Sequence, residues 1–120
     1  MKKLIPILFF LFTGQLIYSQ ELISIDSVSN YVGQMIKVCD KVSDTFQGKG
    51  ENKITYLNFG GNYPDHKFTV VIFPQDLNNF PFVPSVRYKD KNVCVTGMIS
   101  IFKEKPQIIV ETVDKIEVKK

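Results

Sequence analysis

The chain is expected to fold as a mainly β protein, a five-stranded Greek-key barrel with a short N-terminal helix and a short helix between strands three and four. Three observations predict this. Five runs with strand-like patterning fit into about a hundred residues, a helix-capable stretch separates the third run from the fourth, and a glycine (Gly97) falls inside a strand, where barrels bend. Ten Phe and five Tyr with no Trp point the same way, because aromatic and β-branched residues suit a pleated, half-buried surface. A β-sandwich usually has more strands at this length, and an immunoglobulin-like domain would carry a buried Trp between its cysteines. At 120 residues and 44% hydrophobic content, the chain suffices for one domain and one core.

The elements follow in order. Ile25, Val28 and Val32 recur at near-helical spacing behind the capping candidates Ser24 and Asp26, and Gly33 is a natural stop, so a two-turn helix precedes the barrel. Residues 35–43 (MIKVCDKVS) alternate, with Ile36, Val38 and Val42 on one parity and Lys37, Cys39 and Lys41 on the other. Asp40 falls on the apolar parity, which predicts a bulge or bend there. Residues 44–53 are polar, contain Gly48 and Gly50, and read as a loop. Strand two is expected at 54–59, closed by Gly60 and Gly61. Strand three follows the turn Tyr63-Pro64-Asp65-His66 and covers 67–73. Residues 74–80 form the short helix, and Pro81 and Pro84 keep the next connection irregular. Strand four is expected at 93–102, a short turn at 103–106, strand five at 107–112, and an extended tail to Val118.

The first 19 residues read as a secretory signal peptide: Lys2 and Lys3, then the uncharged run LIPILFFLF, then a polar stretch and a cut after Ser19. The run is too short for a membrane span of about 20 residues, so no stable span remains after signal removal. No cysteine follows it to carry a lipid. The mature domain is residues 20–120, placed in the periplasm or outside the cell. Setting Lys2 and Lys3 aside takes the 15 basic side chains to 13, against 12 acidic ones. That balance gives no overall attraction to polyanions, although a local basic stripe remains compatible with it. In an oxidising compartment Cys39 and Cys94 are either a disulfide or two free thiols. If strands one and four are neighbours, the pair can face each other across them.

The segments YVGQMIKVCDKV, TYLNFGGNYPDHKFTVVIF and KNVCVTGMISIFKEKPQIIVE, with a final KIEV, carry a resemblance. They resemble small exported bacterial OB-fold domains of the nucleic-acid-binding type, found alone or appended to secreted nucleases and esterases. The resemblance covers residues 24–118. It rests on Gly33 before the first strand, a T-x-L-N strand followed by Tyr-Pro, and a V-x-V-x-G strand followed by Pro-Gln-Ile. Asp40 departs from it, standing where the pattern more often has glycine. The resemblance implies an OB-fold barrel and ligand binding. It implies no catalytic residue, because catalysis in the multidomain relatives belongs to their other domains.

The residues themselves point away from catalysis. His66, the single histidine, reads as an exposed turn residue, and no spacing groups Asp40, Asp44, Asp65 and Asp90 into an acid–base pair. Two isolated cysteines with one distant histidine make no metal site, and no cofactor motif is present. Binding is the better reading. OB barrels use the face of strands two and three, rimmed by the loops joining strands one to two and four to five. On this chain that face is expected to present Tyr56 and Asn58, then Lys67, Thr69 and Val71. The rims would add Phe46, Lys49 and Lys53 from one loop, and Phe102, Lys103 and Lys105 from the other. Rings among lysines suit single-stranded nucleic acid or another extended anionic polymer, since bases stack while phosphates meet charge. The competing reading is an envelope protein as partner, met by an apolar patch at Phe80, Pro81, Phe82 and Val83.

Overall fold

A computed structural model describes residues 22–51 and 53–120. The expected export signal, its cut after Ser19 and the first residues of the mature domain lie outside the described residues. The chain is mostly β. Among the described residues seven strands are formed rather than five: β1 (Leu22–Ile23), β2 (Met35–Gln47), β3 (Thr55–Phe59), β4 (Phe68–Ile72), β5 (Asn92–Phe102), β6 (Lys105–Ile109) and β7 (Ile116–Val118). The two additions are short. Strand β1 lies parallel to β2 at Lys37 and Val38, and β7 lies antiparallel to β5, setting Ile116 against Val95.

The remaining pairings make a partial ring in the sheet. Strand β2 is shared: Met35 to Lys41 pair with β5, and Val42 to Gln47 pair with β3. Strands β3 and β4 are antiparallel, β4 and β6 parallel, and β6 and β5 antiparallel. The expected irregularity at Asp40 is not there, since Asp40 pairs in register with Val93. The shift instead falls between Val42 and Asp44, where the strand changes partners, and Ser43 is the extra residue. Its hydroxyl accepts a hydrogen bond from Gly61 N at 3.1 Å.

Alternation fills the interior. Ile36, Val38 and Val42 from β2, Leu57 and Phe59 from β3, Val70 and Ile72 from β4, Val93, Val95 and Ile99 from β5, and Ile108 from β6 are all buried in one core. Each such side chain contributes about 1.5–3 kcal/mol relative to an exposed one. At Gly97 a side chain would be crowded: an added Cβ would lie 2.4 Å from Ile108 Cγ2 on β6.

The helical expectations are met with a change of type. Residues Ile25–Tyr31 form a 3-10 helix, and Asp26 N donates to the Ser24 hydroxyl at 3.2 Å. Between β4 and β5 lie two short elements, the 3-10 helix Pro74–Asn79 and the single α-helical turn α1 (Pro84–Arg87). The apolar patch expected at residues 80–83 is reduced at the surface. Phe80 is buried, and Phe82 packs edge-on against Tyr88 with ring centroids 5.4 Å apart. Aromatic rings beside a small core lower the free energy more by joining it than by facing water; only Pro81 and Val83 stay exposed.

Candidate functional site

The pleat and the register together build a cleft on the outer face of β3 and β4. On β3, Leu57 and Phe59 point into the core, so Tyr56 and Asn58 must point out. Cross-strand register then lays side chains in rows. One row runs Asp44, Asn58, Thr69, Gln107, Ser100 across β2, β3, β4, β6 and β5, and is entirely polar. The adjacent row runs Phe46, Tyr56, Val71, Ile109 and carries the rings. A cavity of about 690 Å³ opens over them, bounded by the turn bearing Tyr63, Pro64 and His66 and by the β5–β6 hairpin with Phe102, Lys103 and Lys105.

Three of the rings are held out in solvent. Phe46 is 60% exposed, Tyr63 72% and Phe102 57%. Single exposed aromatics are ordinary, but three around one cavity make an apolar surface that a ligand can cover. Phe46 and Tyr56 sit as cross-strand neighbours with centroids 6.4 Å apart, and Tyr63 stacks on His66 at 5.7 Å.

The polar row is wired in one direction. The Thr69 hydroxyl donates to Asn58 Oδ1 at 2.7 Å, which fixes the amide, and Asn58 Nδ2 donates to Asp44 Oδ1 at 2.9 Å. The other carboxylate oxygen of Asp44 accepts from Tyr63 N at 3.3 Å. Lys105 Nζ donates to the carbonyls of Pro64 (3.0 Å) and His66, tying the hairpin to the turn. Lys103 Nζ lies 5.4 Å from the centre of the Phe102 ring. The hairpin turns on two residues, Lys103 and Glu104, both with positive φ (50° and 68°), a conformation glycine or asparagine usually supplies.

His66 is buried, not exposed as its turn suggested, because Tyr63 covers it. Its Nδ1 meets no hydrogen-bond partner among the described residues. Burial, and then the Lys105 ammonium, hold its pKa below the ordinary value of 6.5, so the imidazole is neutral at neutral pH.

Of the residues singled out from the sequence, Phe46, Tyr56, Asn58, Thr69, Phe102, Lys103 and Lys105 line this one cavity. Asn58 and Thr69 are nearly buried at its floor rather than displayed, and Val71 is buried as well. Three lysines are placed elsewhere. Lys67 turns to the 3-10 helix Ile25–Tyr31, where its Nζ is 2.8 Å from Asp26 Oδ1. Lys53 is exposed, as is Lys49, and neither lines the cavity. Asp44, Thr45, Tyr63, Pro64, His66 and Gln107 line it without having been expected there. The signal for Asp44 and Thr45 was the sequence TFQ: a β-branched residue, a ring and a polar residue in alternation, which continues β2 through what reads as loop.

Cys39 and Cys94 form a disulfide, directly opposite each other in the β2–β5 ladder, with Cα atoms 3.9 Å apart. Among the described residues no group of three or more His, Cys, Asp or Glu is arranged to hold a metal ion, and no helix is long and apolar enough to cross a membrane.

No family model and no curated protein matches the sequence. Among solved structures, the chain is similar to a crystal structure from Leishmania major Friedlin assigned as an aspartyl-tRNA synthetase, with a TM-score of 0.51 and 15% identity. The alignment covers 88% of this chain and 22% of that one, so the likeness is one of fold to a fraction of a much larger protein.

Proposed function

We propose that this chain is an exported OB-fold module that binds single-stranded nucleic acid, or another extended anionic polymer, in the cleft over β3 and β4. The observation that carries the reading is the cleft itself, where the rings of Phe46, Tyr56, Tyr63 and Phe102 stand beside Lys103 and Lys105. Rings give bases a stacking surface and ammonium groups meet phosphates. The cyclic pairing order β2–β3–β4–β6–β5, returning from β5 to β2, supports reading the sheet as an OB barrel. The neighbour of similar fold is named for a protein that acts on tRNA, which agrees with a nucleic-acid ligand. The Cys39–Cys94 disulfide is consistent with export to an oxidising compartment. The proposal is one of binding and assigns no catalytic residue. A protein partner at residues 80–83 is the second reading: Phe80 is buried and Phe82 half-buried, which leaves Pro81 and Val83 exposed.

The test is fluorescence anisotropy of labelled single-stranded DNA and RNA against the protein. Binding is expected, and Tyr56→Ala is expected to weaken it by about tenfold, in line with about 1–3 kcal/mol per stacked base. A folded protein that binds neither strand at low salt refutes the proposal.

A further inference from the structure

We infer that Asp44 makes the cleft selective among bases, favouring those that present adjacent N–H donors, with guanine the best fit. The inference rests on the nucleic-acid reading above and deepens it.

Asp44 is the one carboxylate lining the cleft, and a carboxylate is an odd group to place where phosphates should bind. Held there, it must repay its repulsion of the backbone through something other than bulk charge. Its position shows how. Asp44 and Phe46 are two apart on β2 and share a face, so the carboxylate lies in the polar row beside the aromatic row. A base stacked on Phe46 and Tyr56 therefore has its hydrogen-bonding edge beside Asp44. The carboxylate is also fixed in place: Thr69 orients Asn58, Asn58 donates to Oδ1, and Tyr63 N donates to Oδ2. Each oxygen has taken one donor and keeps a further lone pair.

An ionised carboxylate accepts and never donates, so the matching edge must donate. Guanine offers N1–H and the N2 amino group side by side, spaced for two parallel bonds to two oxygens. Cytosine and adenine offer one amino group each beside an acceptor. Thymine and uracil offer a single N–H flanked by two carbonyl oxygens, which the carboxylate repels. Asn58 and Thr69 are positioning residues in this scheme, acting through Asp44.

The test uses oligothymidylates of about nine nucleotides, within the site size of an OB fold, carrying guanine, inosine or thymine at the centre, and the uridylate counterparts for RNA. With the wild-type protein, guanine is expected to bind about ten- to a hundredfold more tightly than thymine, the range for a bidentate pair. Inosine, which keeps N1–H but lacks the amino group, should fall between them. Asp44→Asn should abolish the guanine preference while leaving the all-thymine strand bound as well or better, because a negative charge has gone. Thr69→Val, which frees Asn58, should reduce the preference without removing it. Equal binding of guanine, inosine and thymine by the wild type, or an unchanged ratio in Asp44→Asn, overturns the selectivity while leaving the binding proposal standing. Binding of an arginine-containing peptide in the cleft with no binding of any oligonucleotide overturns both.

Discussion

Salt is the sharpest perturbation of the proposed interface, because the structure limits how many charges the cleft can offer. Among the described residues, Lys103 and Lys105 are the only lysines that line it. Lys67 is engaged with Asp26 on another face, and Lys53 lies outside the cavity. Each phosphate neutralised on a single strand contributes a slope of about −0.7 in the logarithm of affinity against the logarithm of salt. Two contacts therefore give about −1.4, and a rise from about 50 to 200 mM salt weakens binding by about sevenfold. A basic groove making six contacts would lose several hundredfold over the same range. The assay is anisotropy with one labelled strand across a salt series, repeated for Lys103→Ala, which should flatten the slope by about 0.7. Lys105 is less suitable because its ammonium also ties the hairpin to the turn. A slope steeper than about −3 would refute the reasoning, as would a Lys103→Ala slope equal to wild type. Either would mean that lysines outside the cleft carry the binding.

Three further outcomes follow from the fold. Gly97→Ala should destabilise by about 1–3 kcal/mol through overpacking against Ile108. In denaturant unfolding, adding Ile108→Ala, which deletes the offending methyl, should make the pair less destabilised than the two single changes together; simple additivity would count against the contact. Reducing the Cys39–Cys94 bridge, which spans 55 residues, should cost about 4 kcal/mol on chain-entropy grounds and lower Tm by about 15–30 °C. A shift below about 1 kcal/mol, read by melting with and without reductant, would contradict that estimate. Acid should act through His66: its folded-state pKa lies below the ordinary 6.5, so as pH falls the unfolded chain takes up the proton first and stability declines below about pH 6.5. His66→Gln should flatten the change in stability between about pH 7.5 and 5.5, and an unaltered profile would show that the imidazole is not the group responsible.

What the sequence disclosed and what it hid divide along one physical line. Period-two alternation in Ile36, Val38, Leu57, Phe59, Val93 and Val95 marks core positions directly, because parity alone decides which face a strand residue takes. Parity also places Tyr56 and Asn58 on the outer face. It says nothing about register, and the cleft is a product of register. Asp44 meets Asn58 only because Ser43 is bulged out, and a bulge leaves no trace in composition. Lys67 has the same parity as Thr69, yet it lies just before β4 begins and is captured by Asp26, a residue far away in the chain. His66 reads as a turn histidine for good local reasons, and its burial comes from the Tyr63 ring three residues earlier. The strands β1 and β7 are too short to show a pattern of their own and exist because β2 and β5 present edges to pair with.

The sharing of β2 between β5 and β3 also bears on how the chain assembles in time. The β5–β6 hairpin closes on a two-residue turn and β3 meets β4 across a short connection, so both can form from local contacts. The β2–β5 ladder cannot, because partners such as Cys39 and Cys94 stand 55 residues apart. Closing that distance costs loop entropy before any pairing is gained. Domains dominated by such non-local pairing fold in roughly milliseconds to seconds. Until β5 arrives, the first half of β2 is an open edge. The chain that emerges first therefore waits for the chain that emerges later, and the disulfide records the moment they meet.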